Sequence, residues 1–211
     1  MTGKDKWAMI VAELIGTAIL AMVVYTMIAR TSFPLFAALG AGATLGLLSV
    51  TMGWGDGGVH LNPAVTLSLW TQKKTQTAAA VVAIAAQLLG GLAAWALLNY
   101  FLGHNLQSTA GKFEWKVLAA EAMGAGVFTF GVAASALQKM SQASAAVVAG
   151  TSLFLGIMVA SIGSSAIINP AVALGIQSWN WAYAGGPLIG GIVGVALYGL
   201  LFAPTPAKKK K

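Results

Sequence analysis

The tripeptide Asn-Pro-Ala occurs twice in this chain, as Asn62-Pro63-Ala64 and as Asn169-Pro170-Ala171. Asparagine is a preferred N-cap because its side-chain oxygen accepts from the free backbone donors of a first helical turn. Proline suits the first helical position, where no donor is needed. Each tripeptide therefore reads as the start of a helix. A helix N-terminus carries roughly half a positive charge. Two such ends facing one lumen would repel cations and protons, while the two asparagine amides would donate hydrogen bonds to a neutral molecule with an acceptor oxygen. One copy alone would mean only a capped helix; two copies on matched segments call for a fold that brings them face to face.

Two acids stand at matching distances ahead of the tripeptides. Glu13 precedes Asn62 by 49 residues (62 − 13) and Glu121 precedes Asn169 by 48 (169 − 121). Both lie in apolar stretches, Ala12-Glu13-Leu14-Ile15-Gly16 and Ala120-Glu121-Ala122-Met123-Gly124. A carboxylate at membrane depth is costly and needs partners. The expected partners are the backbone donors of the loop before each tripeptide, whose carbonyls would then line the passage. For Glu121, close to the start of its segment, the alternative is a side chain reaching water. His60 either faces a vestibule or makes a structural hydrogen bond.

The elements that must position these groups follow from hydrophobic length. About 20 apolar residues cross a bilayer, and six segments qualify: 7–29, 33–53, 77–102, 115–137, 143–163 and 181–203. Two shorter apolar pieces, 63–70 and 170–178, each open with Asn-Pro-Ala and are too short to cross at ~1.5 Å per residue. The order long, long, half, long occurs twice, at approximately 7–102 and 115–203, joined by the linker 103–111. Three full crossings per copy is an odd number, so the copies lie upside down relative to each other, with the shared site near the midplane. The fold class expected is an all-α membrane protein of six transmembrane helices plus two re-entrant half-helices, forming one domain over 1–211 with a basic tail at 204–211.

Composition supports a bilayer environment. Of 211 residues 58% are hydrophobic and 8% charged, and the mean hydropathy is +0.80. A soluble domain carries about 25% charged residues. The net charge of +7 is dispersed, four of its lysines being Lys208 to Lys211, which argues against nucleic acid. With no cysteine there is no disulfide or thiolate chemistry, and two histidines with five acids offer no metal cluster; no cofactor is expected. The first apolar run exceeds a signal-peptide core of 7–15 residues and reads as the first span. With both termini cytoplasmic, Lys4, Lys6, Lys73, Lys74, Lys139 and the lysine tail fall inside, and Arg30, Lys112 and Lys116 outside. This follows the positive-inside rule and suits a plasma membrane.

The residues 58–66, Gly58-Val59-His60-Leu61-Asn62-Pro63-Ala64-Val65-Thr66, and 168–171, Ile168-Asn169-Pro170-Ala171, resemble the two signature loops of the aquaporin (major intrinsic protein) family. Ala12-Glu13 and Ala120-Glu121 resemble its repeat-opening acids. The resemblance covers essentially the whole chain. It implies a right-handed six-helix bundle, one pore per subunit, a homotetramer, and a passive path for water and small neutral solutes. Gly58, Val59, His60, Ile167 and Ile168 would line the loops of that path. The family usually has arginine directly after the second tripeptide; here that residue is Val172. Carrying over the other filter positions by spacing gives Gly42, Ile157 and Ala166, with Trp54-Gly55-Asp56 suggesting an insertion that would shift the first. The filter Gly42, Ile157, Ala166 and Val172 would be wide, apolar and uncharged, admitting glycerol-sized solutes. A coupled transporter would need an ion site among Glu13 and Glu121, and a non-conducting protein of the same fold would follow if an apolar constriction dewets. Glycine pairs at four-residue steps, Gly42–Gly46 and Gly186–Gly190–Gly194, read as close helix packing. No nucleophile with a base, phosphate loop or metal set appears, so no enzyme activity is expected.

Overall fold

The computed structural model describes residues 3–31, 33–53, 59–138 and 140–204. Trp54-Gly55-Asp56, Gly58, Lys139 and the lysine tail Lys208–Lys211 lie outside the described residues. The described chain is helical: α1 Gly3–Arg30, α2 Pro34–Met52, α3 Pro63–Thr71, α4 Thr77–Leu102, α5 Trp115–Leu137, α6 Gln142–Ala160, α7 Pro170–Gly175 and α8 Trp181–Leu201. Six of these, all but α3 and α7, are long and apolar enough to cross a membrane. The first starts a turn before the apolar run, taking Asp5 into its first turn, where a negative charge suits the helix dipole.

Packing repeats under exchange of the two halves. α1 lies on α2 and α4, as α5 lies on α6 and α8; α2 meets α6, and α3 meets α7. Each half-helix packs chiefly on the other half, α3 on α8 and α7 on α4 and α1, while α3 also lies on α4 and α7 touches α8. Glycines set the closest approaches. Gly186, Gly190 and Gly194 on α8 face the backbone carbonyls of Leu118, Ala122 and Gly126 on α5, leaving no room for a Cβ. Gly90 on α4 stands likewise against Leu14 on α1. Lipid tails are as apolar as the side chains, so association gains mainly from such close contact.

Both half-helices end the same way. Lys73 (φ 56°) and Gln177 (φ 58°) are left-handed, and the next residue's N–H returns to the last turn: Lys74 to Leu69 O at 2.9 Å and Ser178 to Ala173 O at 2.8 Å. This is the six-to-one closure of a left-handed C-cap. It stops α7 at Gly175, three residues short of the expected Ser178. The linker holds this end: Thr109 N–H donates to Gln177 O at 2.9 Å, and Asn180 Nδ2 donates to Ala110 O at 2.7 Å.

Candidate functional site

Asn62 and Asn169 cap α3 and α7. Asn62 Oδ1 accepts from the Ala64 N–H at 2.8 Å; Asn169 Oδ1 accepts from Ala171 at 3.0 Å and Val172 at 3.3 Å. Pro63 and Pro170 occupy the first turn, and Ala64 and Ala171 are fully buried. The amide nitrogens cross between halves: Asn62 Nδ2 donates to Ile168 O at 2.9 Å and Asn169 Nδ2 to Leu61 O at 2.8 Å. The two half-helix tips are thus joined by a reciprocal pair of hydrogen bonds, with the asparagines only 2% and 3% exposed.

The residues before the asparagines make this possible. Leu61 (φ 53°) and Ile168 (φ 42°) are left-handed, a conformation that costs about 1–2 kcal/mol for a residue with a Cβ. It turns each carbonyl toward the opposing asparagine. The carboxylates of α1 and α5 hold the loops in that shape. Glu13 accepts from the N–H of His60 at 2.8 Å and of Leu61 at 2.7 Å. Glu121 accepts from Ile167 at 3.1 Å and Ile168 at 2.6 Å. A hydrogen bond to a charged group contributes about 1.5–3 kcal/mol, so two at each carboxylate offset the backbone strain. Glu121 is fully buried, so in this fold it does not reach water.

The third donor differs between halves. Glu13 Oε2 accepts from Gln87 Nε2 on α4 at 2.7 Å, and that nitrogen also reaches Thr66 Oγ1 at 2.8 Å. Thr66 Oγ1 lies 3.0 Å from His60 Nδ1. Glu121 Oε1 accepts instead from Ser164 Oγ at 2.7 Å, within the loop it holds. Gln87 and Ser164 were not singled out in the sequence. For Gln87 a signal existed, since an amide inside an apolar span needs a partner.

Two cavities flank the junction. One, beside Thr31 and Phe33 and here called the outer cavity, of about 330 Å³, is lined by Ile157, Ala166 and Ile167 together with Ala37, Ser161 and Ser165. The inner one, of about 1200 Å³, is lined by Val59, His60, Leu45, Ser49, Lys74 and Gln142 among others. His60 therefore both faces the inner cavity and makes a structural hydrogen bond. Ile168 is fully buried and lines neither. Val172 is 1% exposed, in the first turn of α7. Among the described residues the buried carboxylates are Glu13 and Glu121, and no buried lysine or arginine accompanies them. Groups of His, Cys, Asp or Glu able to hold a metal are absent among the described residues.

Gly42 requires a correction. A Cβ built there would lie 2.6 Å from the Gly150 carbonyl oxygen, so this position faces α6 and serves the helix crossing, not a lumen. Ala37 on the same helix lines the outer cavity and Leu45 the inner one. Four-residue steps keep one face of a helix, which places Ala41, 1% exposed, between them. The spacing carried over from the family therefore lands on the α6-facing side of α2 at Gly42.

The family model "Major intrinsic protein" matches residues 2–198. Aquaporin TIP2-1 of Arabidopsis thaliana is 33% identical over 74% of this chain and 67% of its own length. Aquaporin TIP1-1 of Zea mays is 34% identical over 80% and 72%. The X-ray structure of the aquaglyceroporin from Plasmodium falciparum superposes with a TM-score of 0.68 at 18% identity, covering 93% of this chain and 95% of that one, which establishes the shared fold. With its two half-helices, capping asparagines and loop-holding acids, this chain belongs to the major intrinsic protein family.

Proposed function

We propose that this protein is a passive channel for water and other small uncharged solutes, glycerol-sized ones included, and that ions and protons are rejected where Asn62 and Asn169 meet. The observation that carries the reading is the reciprocal Asn62–Ile168 and Asn169–Leu61 pairing. A side-chain amide nitrogen has two hydrogens; one is fixed on the opposing carbonyl, so the other has a set direction toward passing solute. A water accepting from both amides would be oriented so that it cannot relay a proton, and the positive ends of α3 and α7 repel cations. The wide selection is assigned to Ala41, Ile157, Ala166 and Val172, small or apolar groups without charge.

The repeats at about 7–102 and 115–203 are read as one inverted pair in a single domain. Asp5 and Lys74 border the inner cavity while Thr31 and Phe33 border the outer one; with the lysine excess this supports a cytoplasmic inner side and cytoplasmic termini, and the membrane we assign is the plasma membrane. Homotetramer assembly is the expected quaternary state, testable by mass measurement in detergent. A coupled transporter fits less well, because Glu13 and Glu121 are both committed to loop N–H groups.

A second reading is a gated channel of the same fold. The two cavities share no lining residue, and both asparagines are nearly inaccessible; an apolar constriction of this kind can close by dewetting. Stopped-flow light scattering on proteoliposomes separates the readings. Fast shrinkage in sucrose with fast re-swelling in glycerol is the expected result. Shrinkage without glycerol entry would mean a water-selective pore, and no acceleration over empty vesicles would favour the closed state.

A further inference from the structure

The segment 161–168 leaves α6 and enters α7 as a loop, and four successive N–H groups in it are held by side chains. That of Ser165 is accepted by the Tyr183 hydroxyl at 3.2 Å, that of Ala166 by Ser164 Oγ at 2.9 Å, and those of Ile167 and Ile168 by Glu121. With these donors turned into the protein, the loop is free to present carbonyls and hydroxyls to the outer cavity, which Ser161, Ser164, Ser165 and Ala166 line. Ala166 and Ile168 are both left-handed, at φ 55° and 42°, so the loop shape depends on what holds it.

Glu121 and Ser164 hold the deep part. The outermost hold is separate and comes from α8. Tyr183 is 4% exposed, its ring part of the main core. Its hydroxyl accepts from the Ser165 N–H and donates to Ser165 Oγ at 3.1 Å. Two bonds to one residue fix both the peptide and the side chain of Ser165, and Ser165 Oγ, having accepted, keeps its own proton for a solute. The base of Tyr183 is itself anchored: Asn180 Oδ1 accepts its N–H at 3.2 Å, and the same asparagine binds the linker at Ala110.

We propose that Tyr183 is a positioning residue for solute selection: through Ser165 it sets the polar edge of the outer pore mouth, and so the discrimination between water and larger hydroxylated solutes. The inference rests on the reading of the outer cavity as a pore mouth. The apolar side chains Val24, Ile28, Ala37 and Ile157 also line the cavity, so the serine edge is where hydrogen bonds can be offered.

Tyr183→Phe removes the hydroxyl and keeps the ring. Loss of one hydrogen bond to a loop N–H predicts about tenfold faster hydrogen exchange at Ser165. In vesicles the glycerol-to-water permeability ratio should rise about threefold, as a loosened rim discriminates less. Tyr198→Phe is the control: its hydroxyl accepts from Gln138 Nε2, neither residue lines the outer cavity, and both readouts should stay unchanged. Ser165→Ala combined with Tyr183→Phe should shift the ratio no further than the larger single change. Unchanged exchange at Ser165 overturns the proposal. So does faster exchange with an unchanged ratio, which would make Tyr183 merely structural, or an equal shift from Tyr198→Phe. If the wild type passes neither solute, the open-channel reading fails and selection by Tyr183 fails with it, whereas a conducting wild type with an unaltered Tyr183→Phe ratio refutes the proposal alone.

Discussion

The amide nitrogen of Asn62 lies 2.9 Å from the carbonyl oxygen of Ile168, 106 residues away in the chain, and Asn169 returns the bond to Leu61. Replacing either asparagine by aspartate removes the donor and sets a carboxylate against a carbonyl. It also cancels the positive end of the half-helix. Asn62→Asp and Asn169→Asp are expected to raise proton and sodium leak about tenfold or more, read by a pH-sensitive dye and by sodium flux in vesicles. Leak equal to the wild type would remove ion exclusion from the asparagines.

The acids are unequal in reach. Glu13 joins α1 to the loop before α3 and to Gln87 on α4, whereas the third donor of Glu121 is Ser164 in its own loop. Glutamine at either position points N–H groups at N–H groups. Both Glu13→Gln and Glu121→Gln should destabilise by about 2–3 kcal/mol, with Glu13→Gln the more severe because it also breaks a link to a second helix at Gln87, which keeps only Thr66, whereas Ser164 retains the Ala160 carbonyl. Thermal unfolding in detergent checks the order; equal losses would show that the Gln87 link contributes little.

Val172 occupies the position after the second tripeptide and is almost fully buried. Val172 lines neither cavity; in the proposed pore, Val172→Arg would set a cation and a long side chain at the filter. Glycerol entry should fall about tenfold while water flux persists. An unchanged glycerol rate would mean that residue 172 does not border the path.

Gly42 faces α6, whereas Ala41 lies on the face of α2 that carries Ala37 and Leu45. Gly42→Ala inserts a methyl against the Gly150 carbonyl, and should lower stability by about 1–3 kcal/mol without altering the ratio of glycerol to water flux. Ala41→Phe should narrow the passage and reduce glycerol flux with the fold retained. Reversed outcomes would restore Gly42 to the lumen.

Much of this architecture was legible in the residues. Six apolar runs of bilayer length gave six spans, and Asn-Pro marked both half-helices, because caps and hydrophobic length are local properties. The end of α7 was misplaced since its stop is a left-handed Gln177, not a glycine or proline that punctuates a sequence. Tyr183 was invisible for another reason: its partner Ser165 is reached only after α8 folds back.

The sequence by itself determined that the chain is a membrane bundle with paired tripeptides and paired acids, since composition, length and spacing do not depend on how helices rotate. Only the tertiary structure decided which face each helix turns inward. α2 is apolar all round, and in lipid a residue facing a neighbour, a lumen or the bilayer can have the same polarity, so no periodic signal separates Gly42 from Ala41. The crossed asparagine bonds, the left-handed Leu61 and Ile168, and the hold of Glu13 and Glu121 on them likewise exist only once the two halves are brought together.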